Sequence, residues 1–334
     1  MKHLVTVELL RLRWRRAVLL LTCAALLVPA LIFAATAWNT RPVSDSELRY
    51  AQEQVERERN APYVARELRR CEAKPENYGL TDSGDELAAA CEQQILPRAE
   101  WFLPRVPLDL AVEHDEGSGI AIAVVLTMLV LLMGTTFVGH DWNSGSMSNQ
   151  LLFEPRRLRV WAAKGAVVFL AGLTLAGVVL VAHWTGLWLL SEQRGIAVPD
   201  GAVADGFRQT LRAALLAAFA GLGGYALTML FRSTVATLGI LFAVSIAAPL
   251  LLSVLAFQSS DRLMPQNNYA AVVLGGIESY DYDHPCPVEG DDETRYDGGC
   301  PTTITTGDGA TYFGVLLLAA GGLSLLSFGR RDVP

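Results

Sequence analysis

The sequence predicts an all-α polytopic membrane protein: six transmembrane helices, both termini cytoplasmic, and a helical extracytoplasmic insert after the first span. Three observations carry this. Six apolar runs of 18 to 26 residues hold no Asp, Glu, Lys or Arg between their ends, at 17–37, 119–139, 165–190, 213–231, 235–257 and 311–328. At about 1.5 Å per helical residue, such runs match a hydrocarbon core of roughly 30 Å. Lys and Arg collect on one side of the scheme, and dense charge is confined to the stretches between runs. A soluble protein would have to bury six helices with no polar face inside 334 residues, a core that a chain of this size cannot cover.

Residues 1–16 form a basic stretch in which Leu4, Val7, Leu10 and Trp14 share one helical face. This predicts an interfacial helix on the inner leaflet, with Arg11 interrupting the apolar face and snorkelling. The run 17–37 ends near Ala35-Thr36-Ala37, as a signal peptide would. Its 21 residues exceed the usual signal core of about 7–15, which favours a retained span.

The insert, 38–118, holds 10 Lys/Arg against 17 Asp/Glu. Its first half is a charge-laced helix former with a break at Pro62, and Trp101 and Phe102 suit the headgroup zone before the second span. The span 119–139 follows.

Residues 140–164, HDWNSGSMSNQLLFEPRRLRVWAAK, lie between two uncharged runs and therefore at a membrane surface. Arg156, Arg157, Arg159 and Lys164 make that surface cytoplasmic. Pro155 divides the segment into a short surface helix over Ser146–Phe153 and a second helix opening at Pro155. Met147, Leu151 and Leu158 follow helical spacing and face the membrane or a partner. Ser144 and Ser146 read as caps.

This segment resembles the cytosolic loop of type-2 ABC transporter permeases, particularly actinobacterial ones. The matching positions are Asp141, Gly145, Ser146, Leu151, Leu152, Pro155, Arg156, Arg157 and Lys164. The acidic position is more often Glu in that family. The resemblance extends loosely to the six-span layout and omits both outer loops. It implies that 140–164 carries a coupling helix docking on a separate ATP-binding subunit, and that the permease works as a homodimer or heterodimer. It also implies a bacterial plasma-membrane location and a re-entrant helix before the last span.

The span 165–190 ends outside at Trp184 and Trp188. An outer loop, 191–212, leads to the span 213–231, and Arg232-Ser233-Thr234 gives the tightest turn, on the inner side. The span 235–257 follows, then an outer loop, 258–310. Within that loop, 263–277 is too short to cross a bilayer and reads as a dip into the outer leaflet. The span 311–328 and a basic tail, 329–334, complete the chain. Twelve Lys/Arg fall on the inner segments and four on the loops 191–210 and 258–310, which sets the orientation.

Candidate chemistry is sparse. No phosphate-binding G-x-x-x-x-G-K-[ST] motif is present, so the chain is not expected to hydrolyse ATP itself. His183 is the lone group within the spans that titrates near neutral pH, and it reads as a hydrogen-bonded packing residue. Nothing calls for a cofactor or for nucleic acid, since the net charge of −7 comes with no basic stripe. Two cysteines lie in each large outer segment, which favours the disulfides Cys71–Cys91 and Cys286–Cys300 over a metal site built from Asp281, Asp283, His284 and their neighbours. The Gly clusters 221/223/224 and 321/322 permit close helix approach. The expected activity is ATP-driven export of an amphipathic or apolar solute. The rival reading is a membrane sensor or assembly factor that binds a partner through its acidic outer loops.

Overall fold

The computed structural model describes residues 2–80, 84–255, 260–281 and 300–331. The chain forms two compact units: Met1–Ala34 with Asp109–Pro334, and Ala35–Leu108.

The larger unit begins with α1 (Lys2–Arg13) and α2 (Arg16–Asn39), which belongs to it as far as Ala34. The smaller unit holds α3 (Asp45–Arg59), α4 (Pro62–Ala73) and α5 (Asp85–Ile95). A capping box opens α3: the Ser44 side chain accepts from the Glu47 backbone N–H, and Glu47 reaches back to the Ser44 backbone. The Ser44 backbone N–H and the Ser44 hydroxyl both donate to the Glu47 carboxylate and, with Arg105 completing an ion pair at 2.6 Å, hold it down at about 2. As the sequence predicts, α3 and α4 break at Pro62, which takes the first turn of α4 where its missing N–H has no cost. The disulfide Cys71–Cys91 ties α4 to α5 with both cysteines fully buried. Cys286 and the Cys300 side chain lie outside the described residues, as does the alternative metal cluster.

The larger unit resumes with α6 (Leu110–Asp115), which packs on α7 (Ser118–Asn143), so the insert ends about ten residues earlier than its apolar boundary suggests. Next come α8 (Ser146–Phe153), α9 (Arg157–Gln193), α10 (Ala202–Phe231) and α11 (Thr234–Leu255). Two short helices, α12 (Ser260–Leu263) and α13 (Pro265–Ala270), lead through a π turn at Ala271–Gly275 into β1 (Ile277–Asp281). After β2 (Cys300–Ile304) the last helix is α14 (Thr306–Arg330).

Among the described residues, five segments are long and apolar enough to cross a membrane: Arg16–Asn39, Leu110–Asn143, Arg157–Gln193, Ala202–Phe231 and Thr306–Arg330. They mark the chain as a membrane protein. The helices outrun the apolar runs at several ends. Thus α10 starts at Ala202, not near 213, because nothing after Gly201 breaks it and Arg208 pairs with Asp205 one turn earlier. Its other end is the predicted tight turn, with Arg232 left-handed at φ 57 and its guanidinium over the Trp142 ring at 4.8 Å.

Two features stand out in 258–310. The strands β1 and β2 pair antiparallel, with Ile277 opposite Ile304, a two-stranded sheet among described residues that are otherwise mostly helical. The β-branched run Thr302-Thr303-Ile304 suits a strand, and Ile304 is buried. The segment 263–277 returns to pack on α10 and α14, burying Val272 and Val273 in one cluster with Ile122 and Leu126. Tyr269 reaches Thr127 of α7 at 3.0 Å.

The core is α10 packed between α7 and α9. At the α7–α10 crossing, a Cβ on Gly134 would lie 2.1 Å from the Gly221 carbonyl oxygen, and one on Gly224 would lie 2.7 Å from that of Leu131. Backbone meets backbone there, as small residues allow. Gly321 and Gly322 of α14 face open space instead, with nothing within 4 Å.

Candidate functional site

The segment 140–164 is bracketed by two breaks. Ser144 closes α7, its hydroxyl donating to the His140 carbonyl at 2.8 Å, and Gly145 turns the chain at φ 68 into α8. Only glycine takes that backbone without strain. At the other end Glu154 is extended before Pro155, and α9 opens at Arg157 with Arg156 as its N-cap. Pro155 therefore precedes the helix and does not occupy its first position. Of the two serines expected as caps, Ser144 does cap the end of α7, whereas Gly145 caps α8 and Ser146 turns inward.

What α8 turns toward is a buried ionic cluster. Asp141, at the end of α7, accepts from Lys164 Nζ of α9 at 2.6 Å. Its other oxygen accepts from the Arg15 guanidinium and from Ser146 Oγ, the latter at 3.1 Å. Lys164 donates a second bond, 2.8 Å long, to Glu8 of α1. Glu8 also accepts from Gln150 Nε2, and from Arg11 at 3.4 Å. Arg11 completes the circuit to Ser146 Oγ at 2.6 Å and to Gln150 Oε1 at 3.2 Å. The Glu8, Asp141 and Lys164 side chains are wholly buried. Phe137 lies between the charges, with Arg15 at 5.1 Å and Lys164 at 5.2 Å from its ring centroid.

Two carboxylates and three cations thus share one site, each carboxylate holding more than one donor. Buried charges persist only when paired and hydrogen-bonded in this way. The arrangement bonds α8 to α1 and α7, and Lys164 ties those two to α9. Arg11 does not snorkel, because its guanidinium is used here. Val7 and Leu10 of α1, and Trp14 just after it, are exposed.

Gly145 makes the turn already described, and the other predicted coupling residues divide into four groups. Asp141, Ser146 and Lys164 enter the cluster. Met147 is buried and Leu151 half-buried, so this face of α8 packs inward and does not meet a partner. Arg157 turns back to the C-terminal carbonyls of α14, donating to Phe328 and Arg331 at 3.0 and 2.7 Å. Leu152, Pro155 and Arg156 are exposed. Phe153 joins Leu152 there, the two being 90% and 81% exposed, and Leu158 lies one turn into α9 at 61%. Glu8, Arg15 and Gln150 carry no signal in the sequence beyond one carboxylate in a basic stretch.

At the other end of α7, His183 behaves as expected of a packing residue: its Nε2 meets Ser118 Oγ at 3.2 Å and its ring stands edge-on to Phe33. Ser118 donates in turn to Glu113. His140 is exposed on a shallow cleft of about 390 Å³ with Asn143 and Thr234, and Asp141 turns away from it to Lys164.

No protein-family model, curated protein or solved structure matches the chain.

Proposed function

We propose that the chain is the membrane-spanning permease subunit of an ATP-driven transporter in a bacterial plasma membrane. In this reading α11 is a sixth span, both termini are cytoplasmic, and two permease copies work with a separate ATP-binding subunit on that side. The solute is amphipathic or apolar, in keeping with the uncharged apolar runs at the centre of the spans. One observation carries the reading: a two-turn helix exposes Leu152 and Phe153 while its inner face is bonded to α1 and α7, which Lys164 ties in turn to α9. An exposed aromatic–aliphatic tip is the kind of anchor a protein pocket accepts, and rigid attachment lets a push on it move the spans.

The test is a photo-crosslinker at Phe153 in native membranes. The reading expects an ATP-hydrolysing polypeptide as the adduct, and hydrolysis by that polypeptide should rise when the purified chain is added. An adduct formed only with lipid, or an ATPase whose rate ignores the chain, would leave the sensor or assembly-factor reading in its place.

A further inference from the structure

The insert is acidic overall, yet four of its ten basic side chains gather in one place. A groove of about 810 Å³ runs between α4 and the 3₁₀ turn Pro75–Tyr78, lined by Arg66, Arg69, Arg70 and Lys74 together with Asn77 and Tyr78. Ala73 supplies a small floor between them. Among the described residues no carboxylate lines it.

The spacing makes this costly for the helix. Arg66, Arg70 and Lys74 follow one another at four-residue intervals, so like charges stack along one face. Arg70 alone of the four is ion-paired among the described residues, to Glu67 at 2.7 Å. Glu67 is engaged a second time, accepting from the Tyr78 hydroxyl at 2.8 Å. That bond folds the 3₁₀ turn back on α4 and fixes the far wall of the groove. The disulfide fixes the near one, since Cys71 lies within the run of cations. The cationic face is therefore held open by covalent and hydrogen-bonded struts, and the single carboxylate of Glu67 offsets only part of its charge.

We propose that this groove binds a multivalent phosphate-type anion. Guanidinium groups present planar forks that match phosphate oxygens, and an ammonium and an amide N–H beside them add further donors. A single carboxylate would satisfy one such fork and leave the others facing each other; a pyrophosphate or a phospholipid headgroup can engage several at once.

The experiment uses the full chain in nanodiscs of zwitterionic lipid, titrated calorimetrically with inorganic pyrophosphate. The comparison is with Arg69→Gln/Lys74→Gln, two exposed positions outside the Glu67–Arg70–Tyr78 contacts, whose insert is checked for an intact Cys71–Cys91 bond. Saturable binding that weakens by about tenfold or more in this variant, but not in Arg49→Gln/Arg57→Gln on α3, supports a soluble phosphate source. A second arm replaces part of the disc lipid with phosphatidylglycerol and measures its retention through delipidation by mass spectrometry. Retention that falls in the groove variant, with no pyrophosphate binding, supports a lipid headgroup as the source. If neither pyrophosphate affinity nor lipid retention responds to the groove variant, or neither ligand binds, the proposal is overturned.

Discussion

Asp141 and Lys164 stand 23 residues apart at facing ends of α7 and α9, yet they meet at 2.6 Å with neither side chain exposed. The α8 hairpin is the chain between them, so this bond closes its base.

Breaking it should be expensive. Lys164→Met removes the cation from between two buried carboxylates, and the loss of one partner of a buried pair costs about 3–5 kcal/mol. A marked fall in the thermal midpoint of the detergent-solubilised chain is expected. Combining it with Glu8→Gln should recover part of the loss, because one orphaned charge is then gone. An unchanged midpoint in the single variant would mean the pair does not hold the fold.

The exposed tip tests function apart from stability. Leu152→Ala/Phe153→Ala should leave the thermal midpoint within about 0.5 kcal/mol equivalent, since neither side chain is packed. ATPase retention on the variant should fall by tenfold or more, about 1.4 kcal/mol or above. Arg159→Gln, which removes only charge, should fall much less. Full retention in the double variant would reduce α8 to a topogenic linker.

Orientation is checked with a membrane-impermeant thiol reagent on intact cells. Cysteine at Tyr50, exposed in the insert, should label, whereas cysteine at Asn149 should not label until the cells are opened. Labelling of Asn149 from outside would remove α8 from the compartment that holds ATP.

The insert should respond to acid. The Glu47 carboxyl titrates at about 2 in the folded chain against an ordinary 4.5, so the folded state prefers it ionised. Its contribution is fully present above about pH 4.5 and is lost as the pH falls toward 2. Limited proteolysis of the full chain should therefore cut near α3 faster at pH 3 than at pH 6, and Glu47→Gln should already cut fast at pH 6. Equal cutting at both pH values in the native chain would show that the capping box contributes little.

The Cys71–Cys91 bond offers a further measure. Closing a loop with a separation of 20 residues stabilises by about 3 kcal/mol in the chain-entropy picture. Cys71→Ala/Cys91→Ala should accordingly loosen α4 and α5 to protease, and non-reducing peptide mapping of the native chain should recover the linked pair.

The spans were legible because uncharged runs announce themselves, and α8 because Gly145 and Pro155 bracket it in sequence. The cluster behind α8 was not. Asp141 looks like a helix end and Lys164 like a topogenic charge until folding brings α7 and α9 side by side, and Glu8 is one carboxylate in a basic leader. Leu151 and Leu152 illustrate the same limit. Adjacent in sequence, they divide between half-buried and exposed faces, and composition alone does not say which is which. The pairing of β1 with β2 spans a long separation, which local pattern does not reveal.

The Gly134–Gly221–Gly224 contact has a mechanical consequence. Where two helices touch through their main chains, no side chain can change rotamer to let one slide past the other. The pair α7 and α10 is in effect a single girder, with α8 hung from its inner end. Force delivered at Phe153 would travel the length of that girder without being absorbed, and any opening of the bundle would have to come from the looser joints around it, such as the open face of α14.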